Sequence, residues 1–141
     1  MPIRNNATQW GAISIGLHWL TFVLVIGLMA IGLLLDLVPK SPKYLWIFDL
    51  HKSTGLTVLA LTVLRLCWRL ASPAPVPVAV TPRWQDLIAK LTHGALYALL
   101  LLMPLSGWLY DSAGGLRPLR WFGLFRVPKL SGMDPDIKAF A

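Results

Sequence analysis

A chain of 141 residues that is 56% hydrophobic and only 13% charged has too little polar surface to cover its apolar material in water. Its mean hydropathy is +0.63, and an ordinary soluble domain would carry roughly 25% charged residues. The net charge of +7 comes from basic residues that flank apolar runs and form no separate arm, which excludes a nucleic-acid binder; the apolar content excludes disorder, and the single Cys67 excludes a disulfide framework or thiolate cluster.

The composition is that of a small all-α membrane protein, a transmembrane helical bundle in one domain over 1–141. From Ala12 to Leu35 no residue is formally charged, which gives roughly 36 Å of helix at 1.5 Å per residue. The hydrocarbon core is about 30 Å thick, so a first span is predicted over 12–35. That run is too long for the core of a signal peptide, and no small-x-small site ends it, so it is read as retained. Between Asp36 and Asp49, prolines, lysines and the aromatics Tyr44, Trp46 and Phe48 form an interfacial mixture.

A second span is predicted over 50–70. Its uncharged centre, Ser53 to Leu64, is short, and the stems of Lys52, Arg65 and Arg69 extend it by snorkelling. Ser72-Pro73-Ala74-Pro75-Val76-Pro77, with Thr81-Pro82, predicts a polyproline-like connector. A third span, 91–110, is uncharged apart from His93, and Pro104 is expected to kink it. Beyond it, 111–141 is predicted not to span, with Trp121-Phe122-Gly123-Leu124-Phe125 at the interface. No period-two strand pattern or internal repeat is present.

All three histidines lie inside or at the mouth of these spans: His18, His51 and His93. Ionisable residues within a membrane are costly and mark function. A lone interfacial histidine serves readily as a hydrogen-bonding anchor, a reading that weakens when all three are placed alike. Consecutive helices alternate direction, so His18 and His93 lie toward one face and His51 toward the other. Two levels of imidazole suggest two sites stacked across the bilayer.

Zinc needs three or four protein ligands, and no thiolate, carboxylate or second histidine stands at ligand spacing on any one span. Proton relays recruit Asp or Glu inside the membrane, and these cores hold neither. Haem requires at most two axial imidazoles, which single histidines on separate helices suit. Gly16, Gly55 and Gly94 would let a macrocycle approach the backbone, although helix packing explains them equally well. Arg65 and Arg69 suit haem propionates or lipid phosphates. Trp19 and Trp68 could line a cofactor, but belt anchoring is the simpler role.

Ile15-Gly16-Leu17-His18-Trp19-Leu20, His51-Lys52-Ser53-Thr54-Gly55, Arg65-Leu66-Cys67-Trp68-Arg69-Leu70, His93-Gly94-Ala95-Leu96-Tyr97 and Met103-Pro104-Leu105-Ser106-Gly107-Trp108 together resemble the bacterial cytochrome b561 family, in order and over nearly the whole chain. The resemblance implies a four-helix di-haem bundle in the bacterial inner membrane. It would pass electrons between a quinone and a redox partner protein, in some members by oxidising superoxide and reducing ubiquinone. His18 and His51 match axial ligands of the cytoplasmic-side and periplasmic-side haem b, and His93 matches a histidine beside the former.

The family's fourth helix, which supplies the opposite ligands, would begin after Asp136-Ile137-Lys138, so the chain is expected to be truncated. It would be an electron-transfer oxidoreductase once that helix completes it, and alone it would hold one bis-histidine haem at most, between His18 and His93. The positive-inside rule adds to that expectation. Arg4, Arg65, Arg69, Arg83 and Lys90 oppose eight basic residues on the other side, a balance that a fourth helix with a basic tail would repair. The alternatives are a cytochrome b subunit of a hydrogenase or formate dehydrogenase, and a non-redox membrane scaffold.

Overall fold

The computed structural model describes residues 1–76, 82–114 and 119–130. In chain order its elements are α1 (Ala12–Leu35), a 3-10 turn (Pro42–Tyr44), α2 (Leu45–Ala71), α3 (Arg83–Gly114) and two short strands, β1 (Arg120–Trp121) and β2 (Phe125–Arg126). Each of the three α-helices is long and apolar enough to cross a membrane, so the chain is a mostly helical, multi-pass membrane protein. Residues 77–81 of the proline-rich connector lie outside the described residues, as does the point where the resemblance expects a fourth helix.

α1 runs unbroken because it contains neither proline nor any charge that lipid would penalise. The other two helices extend beyond the charge-free stretches. α2 begins at Leu45, behind a turn whose first position is Pro42, where a missing N–H removes no bond. Because a helix satisfies its own backbone, it continues through Trp46 to Asp49, where composition alone suggests an interfacial loop. α3 starts at Arg83: the Pro82 carbonyl accepts from the amides of Gln85 (3.0 Å) and Asp86 (3.3 Å). Asp86 complements the positive end of the helix dipole and pairs with Lys90 at 2.7 Å. Pro104 lies inside α3 and deprives the carbonyl one turn earlier of its amide donor.

α2 touches both α1 and α3, and those two do not touch each other. The buried side chains of these helices are few and, apart from Leu59, small: Thr21 on α1, and Ser53, Val58, Leu59 and Thr62 on α2. Thr21, Thr57 and Thr62 donate to the carbonyls of Leu17 (2.7 Å), Ser53 (2.9 Å) and Val58 (2.8 Å). Each hydroxyl is thereby satisfied within its own helix, and the backbones can approach closely. Large apolar residues point outward instead, Leu33 being 79% and Leu70 85% exposed, where acyl chains receive them.

Lys52 of α2 and Asp111 of α3 form an ion pair across the helices. Beyond α3, β1 and β2 pair antiparallel, Arg120 opposite Arg126 and Trp121 opposite Phe125. The turn between them has Phe122 and Gly123 at φ 45° and 75°. This hairpin departs from the sequence reading, which found no strand; four residues are too few to show an alternating pattern.

The N-terminal segment ties α1 to the far end of α2. Asn5 Oδ1 accepts from the Gly11 amide (2.9 Å) and the Ser14 hydroxyl (2.7 Å), while its Nδ2 donates to the carbonyls of Ser72 (2.8 Å) and Pro73 (3.2 Å). Trp68 Nε1 donates to Ser14 Oγ at 3.0 Å, and the Arg4 guanidinium lies 5.9 Å from the Trp68 ring centroid. Gly11 permits this closure: a Cβ there would meet Ile3 O and Arg4 C at 2.5 Å.

Gly11→Ala is therefore expected to lower the thermal unfolding midpoint in detergent, at a cost of about 1–3 kcal/mol from overpacking against backbone. Asn5→Asp keeps the shape but turns an oxygen toward two carbonyls, for a similar loss of about 1–3 kcal/mol. Circular dichroism melts check both; an unchanged midpoint for either would show that the clasp does not hold the helices.

Candidate functional site

The register of the helices sets the depth of each histidine. Ser14 of α1 meets Trp68 of α2, and Gly32 of α1 meets His51 of α2, so the two helices run antiparallel. On the other side, Asp111 of α3 pairs with Lys52, and the Arg65 guanidinium lies 5.5 Å from the Tyr97 ring centroid. His18, one turn after Ser14, falls near the level of Arg65. His93, one turn before Tyr97, falls near Arg69. His51 is 14 positions before Arg65 (65 minus 51), or about 21 Å along the helix at 1.5 Å per residue. His18 and His93 thus share one end of the molecule, on helices that do not touch, and His51 stands at the other end.

The three imidazoles have different surroundings. His93 Nδ1 lies 2.6 Å from the Ala89 carbonyl. A carbonyl only accepts, so Nδ1 donates, and Nε2 is the nitrogen left for a metal, the tautomer in which a neutral imidazole binds one. His18 is exposed, with its ring edge-on to Trp19 at 5.6 Å, and Trp19 in turn meets Phe22 at 5.6 Å. His51 is half-buried, and its Nδ1 is buried with no hydrogen-bond partner among the described residues. A buried polar nitrogen left unpaired costs about 1–3 kcal/mol; coordination to a metal, or a bond to a ligand, would remove that cost.

Open backbone lies near the histidines in sequence. A Cβ at Gly16, Gly55 or Gly94 would meet nothing within 4 Å. These glycines do not serve close contact between the described helices, which leaves backbone that a flat ligand can approach. The glycine that does touch an imidazole is Gly32, whose Cβ would come within 3.3 Å of His51 Cε1. The sequence shows Gly32 as one small residue among many in an apolar run, and only the pairing of α1 with α2 brings it to His51. Among the described residues no group of three or more His, Cys, Asp or Glu could hold a metal ion. The donor set offers single imidazoles on separate helices, open backbone near them in sequence and one orphaned nitrogen, and this fits a ring-borne iron such as haem better than a protein-caged ion. Arg65 is stacked on Tyr97 and Trp68 is bonded to Ser14, so these two side chains are held by the helices themselves.

The family model described as prokaryotic cytochrome b561 matches residues 9–134. Cytochrome b561 homolog 2 of Escherichia coli (strain K12) is 36% identical over 91% of this chain, which covers 68% of that protein. Probable superoxide oxidase CybB of Yersinia pestis is 29% identical over 70% of this chain, and here the chain covers 56% of the relative.

Gly32→Val places branched methyls where His51 Cε1 already stands and must displace the imidazole or part the helices. The expected cost is about 1–3 kcal/mol, read as a lower thermal midpoint, whereas Gly16→Ala, which faces open space, leaves the midpoint within about 1 kcal/mol, its higher helix propensity included. Equal effects of the two substitutions would contradict the assigned contact.

Proposed function

The chain belongs to the prokaryotic cytochrome b561 family, whose cofactor is haem b, and on that premise we propose that it carries electrons between a quinone and a redox partner in the bacterial inner membrane. One observation supports this most: imidazoles stand at two depths about 21 Å apart along α2, one level near each membrane face. His18 and His51 are the proposed axial ligands, one at each depth, with His93 beside the first.

When bound, haem supplies one-electron transfer at the iron. The chain's own residues do the rest. His93 donates its Nδ1–H to Ala89 O, which orients the ring and leaves Nε2 as the nitrogen available to a ligand. Gly32 packs against the His51 ring, where a Cβ would come within 3.3 Å of Cε1, and Gly55, one turn along the same face of α2, leaves its backbone open. The outward apolar side chains of the three helices, Leu102 among them, face the acyl chains between the two levels.

The Yersinia pestis relative's name, probable superoxide oxidase, supports a finer version of the proposal. In it, two superoxide anions give up one electron each and leave as dioxygen, and the quinone takes those two electrons and two protons to become the quinol. Two bis-histidine haems need four axial imidazoles, and this sequence holds three histidines. The chain by itself is therefore assigned one such haem at most.

Purified chain supplemented with haem should show a Soret band and the reduced spectrum of a b-type cytochrome. His18→Ala should lower the pyridine haemochrome content, and His51→Ala should lower it little, because any haem at His51 in this chain alone is weakly held or absent. No Soret band after supplementation would remove the electron-transfer assignment in favour of a scaffold, and two stoichiometric haems per chain without a partner would remove the limit of one. Oxidation of added quinol by the haem-loaded chain, followed optically, tests the quinone.

A further inference from the structure

The hairpin holds two like charges together that would otherwise move apart. Arg120 and Arg126 are direct cross-strand partners, so their side chains leave the same face of the ribbon, and like charges so placed destabilise it. Both are exposed, and neither has an ion-pair partner among the described residues. Trp121 and Phe125 take the other face, where Trp121 Nε1 donates to Thr57 Oγ1 of α2 at 3.0 Å and the two rings lie 5.3 Å apart. The arginines therefore point away from α2.

The ribbon cannot readily relax. Ser53 Oγ donates to Arg120 O (3.1 Å) and accepts from the Phe122 amide (3.0 Å). The Leu124 amide closes the turn on Trp121 O at 2.9 Å. Phe122 is held at φ 45°, a conformation that costs a residue with a side chain of order 1–3 kcal/mol. Charge repulsion is thus kept at one spot, and a bound anion would offset it.

The spot has a defined depth and a second chemistry. Ser53 follows Lys52, whose ion pair with Asp111 marks where charge begins on α2 and α3, the headgroup boundary of a spanning helix. The hairpin tip is apolar and exposed, Phe122 at 46% and Leu124 at 75%. A phosphate between two guanidinium forks with apolar groups beside it matches a lipid headgroup and its acyl chains; a free phosphate would leave the tip uncovered.

We propose that the 120–126 hairpin is a binding site for an anionic phospholipid, with Arg120 and Arg126 sharing the phosphodiester and Phe122 and Leu124 entering the acyl layer. The site is independent of the electron-transfer reading and would stand if that reading failed.

The test is the thermal midpoint of the full chain in nanodiscs of phosphatidylcholine alone or with added phosphatidylglycerol. The expected result is a rise of roughly 5 °C with phosphatidylglycerol, lost in R120Q/R126Q, while inorganic phosphate added to phosphatidylcholine discs has no such effect. Arg126→Gln alone carries a distinctive sign. In phosphatidylcholine it leaves the midpoint unchanged or raises it, because repulsion is relieved, and with phosphatidylglycerol it loses at least half of the rise. This single variant also decides the matter where the double variant does not fold. Equal midpoints of the unsubstituted chain in the two discs, a rise that survives R126Q, or a rise reproduced by inorganic phosphate would each overturn the proposal.

Discussion

A bilayer gives apolar side chains no reason to leave it, and every other feature of this protein follows from that constraint. Between helices the hydrophobic effect supplies little net drive, so contact must come from close packing and from polar groups meeting where water thins out. α2 meets both requirements. Val58, Leu59 and Thr62 are buried on one side of it and Ser53 on the other, and the hydroxyls are either bonded within the helix or used to grip the hairpin. α1 and α3 lean on α2 without touching each other. The polar clasps lie toward the ends: Asn5 with Ser72 at one, Lys52 with Asp111 and Ser53 with the hairpin at the other.

That division of labour explains the character of the histidine levels. The centre of each helix is occupied with packing or lipid contact, and the imidazoles sit toward the ends, where clasps fix the register. His51 is one residue from Lys52 and two from Ser53, the residues that bind α3 and the hairpin to α2. His18 is one turn from Ser14, which Trp68 and Asn5 both engage. Each level is therefore positioned by a polar contact within about a turn, a shorter chain of constraint than packing alone would provide.

Much of this was legible in the sequence, for identifiable reasons. The absence of charge from Ala12 to Leu35 is a direct consequence of the cost of charge in hydrocarbon, so the first helix could be read residue by residue. The histidines stood out for the same reason, and alternation of helix direction sorted them by depth. The start of α2 at Leu45 was hidden because Trp46 to Asp49 has interfacial composition, and composition does not reveal whether backbone in the headgroup layer is coiled. The hairpin was hidden because Gly123 announces a turn but nothing announces Phe122 at a positive φ. Gly32 was hidden for a third reason: its role depends on which residue of another helix it meets, and an apolar run does not encode its own register.

The clasp between Asn5 and Ser72 also sets an order of events in biosynthesis. The two residues are 67 positions apart, and chains are made at about 5–20 residues per second, so α1 waits roughly 3–13 s for the partner of its N-terminal strap. During that interval α1 must persist as a lone span, which its unbroken apolar sequence allows. Arrival of Ser72 then converts an independent membrane anchor into one half of a registered pair. Only a second helix standing at the depth seen here brings the Ser72 carbonyl within reach of Asn5 Nδ2.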